Sequence, residues 1–140
     1  MLSRSTLTQY IEIYGEDWAD EMPENCPPED ICTSDNDTFY RYTANEGAID
    51  ARDWLNHINR YPNIRFEGEK KILAAGLSLQ DDLENARRDL KLPFIKKKYK
   101  GLAAITLLAE DGVLKQTTNN IHHYTWWRTN SCNLTKAAVV

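Results

Sequence analysis

Hydrophobic residues recur along the chain at two periods, and the change from one to the other sketches the elements. Leu7, Tyr10, Ile11, Tyr14 and Trp18 fall at the i, i+3, i+4 spacing of a buried helical stripe, which predicts a helix over residues 6–21. Ser5 or Thr6 can cap its start, and Asp20, Glu21 and Pro23 end it. The stripe returns in Ile49, Trp54, Leu55 and Ile58, predicting a helix over 48–60, and in Leu83, Ala86 and Leu90, predicting one from Asp81 or Asp82 to about Leu90. Period two takes over at Thr38–Thr43, where Phe39, Arg41 and Thr43 alternate with Tyr40 and Tyr42 in a strand. Residues 72–79 read as a short apolar strand or turn, with Ser78 at capping-box spacing from Asp81.

The last third is patterned as strands. Leu102–Leu108, Val113–Thr117 and Ile121–Arg128 are separated by Glu110-Asp111-Gly112 and Thr118-Asn119-Asn120, which read as hairpin turns. Residues 23–37, rich in Pro and Asx, and the polar 64–71 read as loops, and the chain after Ser131 as a fraying tail. The expected fold is one α+β domain over residues 1–140. About three helices pack on one face of a mainly antiparallel sheet of four to six strands, ending in a C-terminal meander.

Length and composition fit this expectation, since 140 residues can bury a core unaided, and 41% hydrophobic and 27% charged residues are ordinary for a globular chain. The longest apolar run, Leu102–Ala109, is too short to span a bilayer, and Thr8, Gln9 and Glu12 interrupt any signal-peptide core. A cytoplasmic protein with no membrane partner is expected. Cys26, Cys32 and Cys132 are an odd set without a CxxC pair, so neither a disulfide framework nor a metal site is expected.

Charge changes the picture more. Twelve acids face two bases in residues 1–50, whereas residues 51–100 carry seven acids and twelve bases. Lys96-Lys97-Lys98-Tyr99-Lys100 concentrates the positive charge. No nucleic-acid-binding motif accompanies that run, so nucleic acid is not the expected partner, and weak, unspecific binding to it is the third functional reading.

The densest chemistry lies in Asn119–Arg128, with two of three histidines and two of four tryptophans. His122, His123, Tyr124, Trp126, Trp127 and Arg128 form the candidate binding stretch. Adjacent strand residues point to opposite faces, so one tryptophan is expected in the core and the other in a groove beside a histidine. The competing reading is that both tryptophans are core. Arg41 is the only base between Arg4 and Arg52. Exposed on its strand it would be unremarkable, whereas buried it must be paired, and its planar fork suits a phosphate or carboxylate.

The chain has no GxGxxG, P-loop, GxSxG or HExxH pattern. Cys26-Pro27-Pro28, Tyr40-Arg41, Gly76-Leu77-Ser78, Gly112-Val113-Leu114-Lys115 and His122-His123-x-Thr-Trp-Trp resemble a family of small uncharacterised bacterial proteins. The order of an early strand arginine, then a strand ending in serine before a helix, is similar to ADP-ribosyltransferase-like domains. That resemblance implies that Arg41 and Ser78 cradle NAD, with His123 or Glu110 in the third place. The Ser-Thr-Ser triplet of those domains is absent. Three functions are therefore expected in order. The first is a bacterial or phage-associated accessory or immunity-type protein that binds another protein and needs no cofactor. The second is an NAD-binding enzyme using Arg41, Ser78 and His123. The third is the weak nucleic-acid binder.

Overall fold

The computed structural model describes residues 1–140, and its strands form one antiparallel sheet that extends from Ser3 to Val139. Its strands are β1 (Ser3–Thr6), β2 (Asp30–Thr33), β3 (Asp37–Thr43), β4 (Leu77–Gln80), β5 (Gly101–Leu107), β6 (Gly112–Gln116), β7 (His123–Arg128) and β8 (Ala138–Val139). They lie in the order β1-β2-β6-β7-β4-β3-β5-β8 and curl into a half-barrel. Five short helices decorate it: α1 (Leu7–Tyr14), α2 (His57–Arg60), α3 (Glu69–Ala74), α4 (Leu83–Leu90) and α5 (Pro93–Lys96). No helix is long and apolar enough to cross a membrane.

This corrects the expected α+β layer of three helices on four to six strands. The helices span only four to eight residues each, too little to cover a sheet. The curl instead brings one face of the sheet against itself. Phe39, Leu77, Leu79, Ile105, Leu114 and Trp126 meet there, with Trp54 and Cys132 over them. Trp54 stands edge-on to Trp126 at 6.4 Å, and Phe39 edge-on to Tyr124 at 5.7 Å. On the opposite face, Tyr10, Ile31, Val113 and Trp127 make a smaller cluster under α1.

The expected helices shorten for identifiable reasons. Gly15, at φ 77°, ends α1 by returning its N–H to the Ile11 carbonyl, so Trp18 leaves the helix and bridges to Thr129. Over 48–60 two caps compete. Asp50 accepts from the Arg52 N–H and Asn56 from the Asn59 N–H, so a 3₁₀ turn (Ala51–Trp54) and then α2 replace one long helix. The buried Asp53 carboxylate holds the turn in place by accepting from the backbone N–H groups of Ala44 and Asp50. Polar residues 64–71, expected as a loop, supply the start of α3.

The meander is overturned too. β6 pairs with β7, but β5 pairs along its whole length with β3, from Asp37–Leu107 to Thr43–Gly101. Glu110-Asp111-Gly112 therefore carries the chain from one part of the sheet to another and makes no hairpin. Asp111 anchors that crossing by accepting from the Leu108 N–H and from Lys136. The tail does not fray at its end, because Ala138 and Val139 add β8 to the free edge of β5.

Candidate functional site: a groove where β3 and β4 part

β3 and β4 share a single register pair, Tyr40 with Gln80. Beyond it the strands separate, and Arg41 fills the seam. Its Nε donates to the Asp53 carbonyl at 2.5 Å, Nη1 to the Ser78 carbonyl at 2.9 Å, and Nη2 to the Leu55 carbonyl at 3.2 Å. The guanidinium thus takes the place of ladder hydrogen bonds that the parted strands cannot make. It also lies 6.0 Å from the Trp54 ring centre. Arg41 takes part in none of the ion pairs of the fold. Burial pulls its pKa down to about 10, which leaves it charged at neutral pH.

The seam opens into a pocket of about 210 Å³. Arg41, Ser78 and His123 all line it, with His57 and Arg60 from α2 and Tyr99 from the lysine run. His57, Ser78 and His123 also line an adjoining hollow of about 310 Å³, which reaches Lys70, Thr117 and Thr125. No aspartate or glutamate lines either space. Positive charge therefore predominates among the lining residues, with the buried Asp53 carboxylate acting on Arg41, although the chain as a whole is acidic at −4.

Strand alternation explains how the polar side chains share one wall. Gln80 pairs with His123 and Ser78 with Thr125, so all four project to the same side, opposite Leu77, Leu79 and Trp126. Gln80 is fixed at both ends, donating from Nε2 to the Tyr42 hydroxyl at 2.7 Å and accepting from Asn85 at 2.8 Å. Arg88 in turn donates to Asn85. Tyr42 stacks on Tyr99 at 5.5 Å, and burial pushes its phenol up to about 12, so it stays protonated.

His123 is held by Thr117. Its Nδ1 lies 3.0 Å from the Thr117 hydroxyl and 3.3 Å from the Thr117 carbonyl. Burial lowers its pKa, against a smaller upward pull from that carbonyl. A neutral ring donating Nδ1–H to the carbonyl keeps Nε2 as a free acceptor. Ser78 is exposed, and its hydroxyl makes no hydrogen bond within the protein. The capping role expected for it falls instead to Asp82, whose side chain accepts from the Asn85 N–H and starts α4.

The rest of the expected binding stretch lies elsewhere. Trp126 and Trp127 do point to opposite faces, but both are fully buried, so the expectation of one exposed ring is overturned. Each indole N–H is satisfied inside the fold, Trp126 by the Asp111 carbonyl and Trp127 by the Ile72 carbonyl. Tyr124 belongs to the main core. His122 turns away to Asp81, 2.8 Å from its Nδ1. Arg128 lies outside the groove, and its Nε is buried without a partner. Glu110 sits in the crossing turn, also outside the groove, whereas His123 lines it.

Sequence reasoning missed His57, Arg60, Tyr42, Gln80 and Tyr99. Tyr42 carried one signal, alternating with Arg41 in a readable strand, but nothing local ties α2 or Tyr99 to it. No protein-family profile, curated protein or solved structure matches the chain.

Proposed function

We propose that the groove binds a phosphorylated nucleoside of the NAD type, and that the protein is a cytoplasmic nucleotide-binding protein. One observation carries this reading: Arg41, Ser78 and His123, from three strands far apart in sequence, line one pocket free of carboxylates. Arg41 and Arg60 supply charge for phosphate, the Tyr42–Tyr99 pair offers a ring surface, and the free Ser78 hydroxyl and His123 Nε2 suit ribose hydroxyls. His123 Nε2 is also where a proton from such a hydroxyl would go if the bound nucleotide reacts.

The interaction-protein reading rests on the charge asymmetry, a net of −10 in residues 1–50, on the aromatic strand and on the missing catalytic motifs. The burial of both tryptophans removes the aromatic anchor that it needed.

Calorimetric titration with NAD, ADP-ribose and AMP tests the nucleotide reading. At least one is expected to bind, and Arg60→Ala is expected to weaken it about tenfold or more, as loss of a charge-assisted contact does. No binding of any of the three to the unaltered protein would sink the proposal.

A further inference from the structure

The groove does not stop at its central pocket. Beyond His57 and Tyr99 the surface dips into a second open hollow of about 430 Å³, lined also by Tyr61, Phe66, Phe94 and Lys98. Phe66 in turn borders the hollow that holds Lys70. The spaces form one track that turns about His57, which lines all three.

Two properties mark this track. The first is exposed ring surface. Phe94 is 68% exposed at the second position of α5, where Pro93 begins the helix, so packing does not account for it. His57 stands edge-on to Tyr61 at 5.7 Å, and Tyr99 closes the row with its stack on Tyr42. The second is a predominance of positive charge. No carboxylate lines any of the three spaces, while Arg60, Lys70 and Lys98 do, and the exposed Lys96 and Lys97 continue the same segment. Glu67 and Glu69 line a further hollow that adjoins the track at Phe66 and Lys70, where Glu67 is paired with Arg65 at 3.0 Å.

A small anion would account for the cations but not for Phe94, and an apolar peptide would account for Phe94 but leave the cations unmatched. Bases stacked on rings, joined by phosphates that run beside lysines, match both. A duplex does not, because its bases are already stacked on each other. We propose that the track from Phe94 to Tyr99 binds single-stranded nucleic acid, with bases on Phe94 and Tyr61 and phosphates along Lys98, Lys97 and Arg60. This goes beyond the nucleotide reading of the central pocket and shares only its border, His57, Arg60 and Tyr99.

Fluorescence anisotropy with labelled single strands of roughly ten nucleotides, within the usual site size, tests the proposal. DNA and RNA of mixed sequence form separate arms and show which sugar is preferred. At low salt at least one strand is expected to bind, with the matching duplex about tenfold weaker or worse. Phe94→Ala is expected to weaken the strand about tenfold, as loss of one stacked base does. Lys98→Ala is expected to make the slope of log affinity against log salt shallower by about 0.7. Both residues are exposed, so melting temperatures should hold and NAD titration of the Phe94→Ala protein should be unchanged. Failure of NAD, ADP-ribose and AMP alike to bind while strands bind removes the pocket reading alone. No strand binding, unaltered affinity of the Phe94→Ala protein, equal affinity for duplex, or equal displacement by polyglutamate would each overturn the strand proposal.

Discussion

Successive residues of β4 face opposite environments. Leu77 and Leu79 are each 1% exposed and sit in the main core, whereas Ser78, between them, is open to the groove with an unbonded hydroxyl. β7 repeats the contrast, with Tyr124 and Trp126 inward and His123 toward the groove. The polar wall is therefore mounted on strands whose other face is locked by packing. That arrangement holds a binding geometry more firmly than a loop can. It also separates two kinds of substitution. Core-face changes should alter stability, and groove-face changes should alter binding.

The largest effects are expected at the two buried tryptophans, Trp126 beneath the wall and Trp127 on the other face in the cluster under α1. Trp126→Ala and Trp127→Ala should each cost about 3–5 kcal/mol in urea unfolding, the usual loss for a buried aromatic. A cost below about 1 kcal/mol for either would show that one ring is not core, and would break the contrast between the faces.

Gly76→Ala comes next. A methyl group there would lie 2.4 Å from Thr125 Cγ2 and 3.2 Å from the Trp126 carbonyl, because β4 begins where two segments approach closely. The expected loss is about 1–3 kcal/mol. Combining it with Thr125→Ala removes the nearer obstacle, so the double variant should lose less than the sum of the singles.

A smaller effect follows from pH. Burial holds His123 below the ordinary imidazole range, so the unfolded chain takes up its proton first as pH falls. Stability should be complete above about pH 6.5, the ordinary value, and decline as pH drops through the folded value. His57 is lowered as well, by burial and by Arg41, Arg60 and Lys98, and contributes with the same sign. His123→Gln should remove only part of the slope, and His57→Gln the remainder. A His123→Gln profile parallel to that of the unaltered protein would mean that this ring is not buried neutral.

Ser78→Ala should do least to the fold. Its hydroxyl has no partner inside the protein, so unfolding should change by less than about 0.5 kcal/mol. Nucleotide affinity should fall nonetheless, and that divergence sharpens the contrast with Trp126.

The readable parts of the sequence were those with strong local patterns. Thr38–Thr43 alternated and α4 had a clear stripe, whereas Arg41, suited by its fork to a phosphate or carboxylate, bonds backbone carbonyls instead. β1 and β2 left too little trace. Each has four residues, and only Ile31 among them is fully buried, in a stretch dominated by Pro and Asx. The sheet order was not legible, because it depends on which distant strands pair, and local periodicity is silent about that. The tryptophans misled for a related reason: an alternating strand tells which residues face apart, but not that both sides are covered. Nor could sequence spacing bring His57, Arg60 and Tyr99 to Arg41, since the parting of β3 from β4 creates their meeting place.

The pairing of β3 with β5 sets how quickly such a protein can form. Thr43 must find Gly101, and Asp37 must find Leu107, before the curl can close. Helices α2 to α5 and β4 all lie in the intervening loop, whose closure entropy must be overcome before the contacts reward it. Refolding is therefore expected on the slow, millisecond-to-second side for a single domain. Arg41, Ser78 and His123 come together only when β4 has paired with both β3 and β7, so recovery of ligand binding would report on those pairings in the folding reaction.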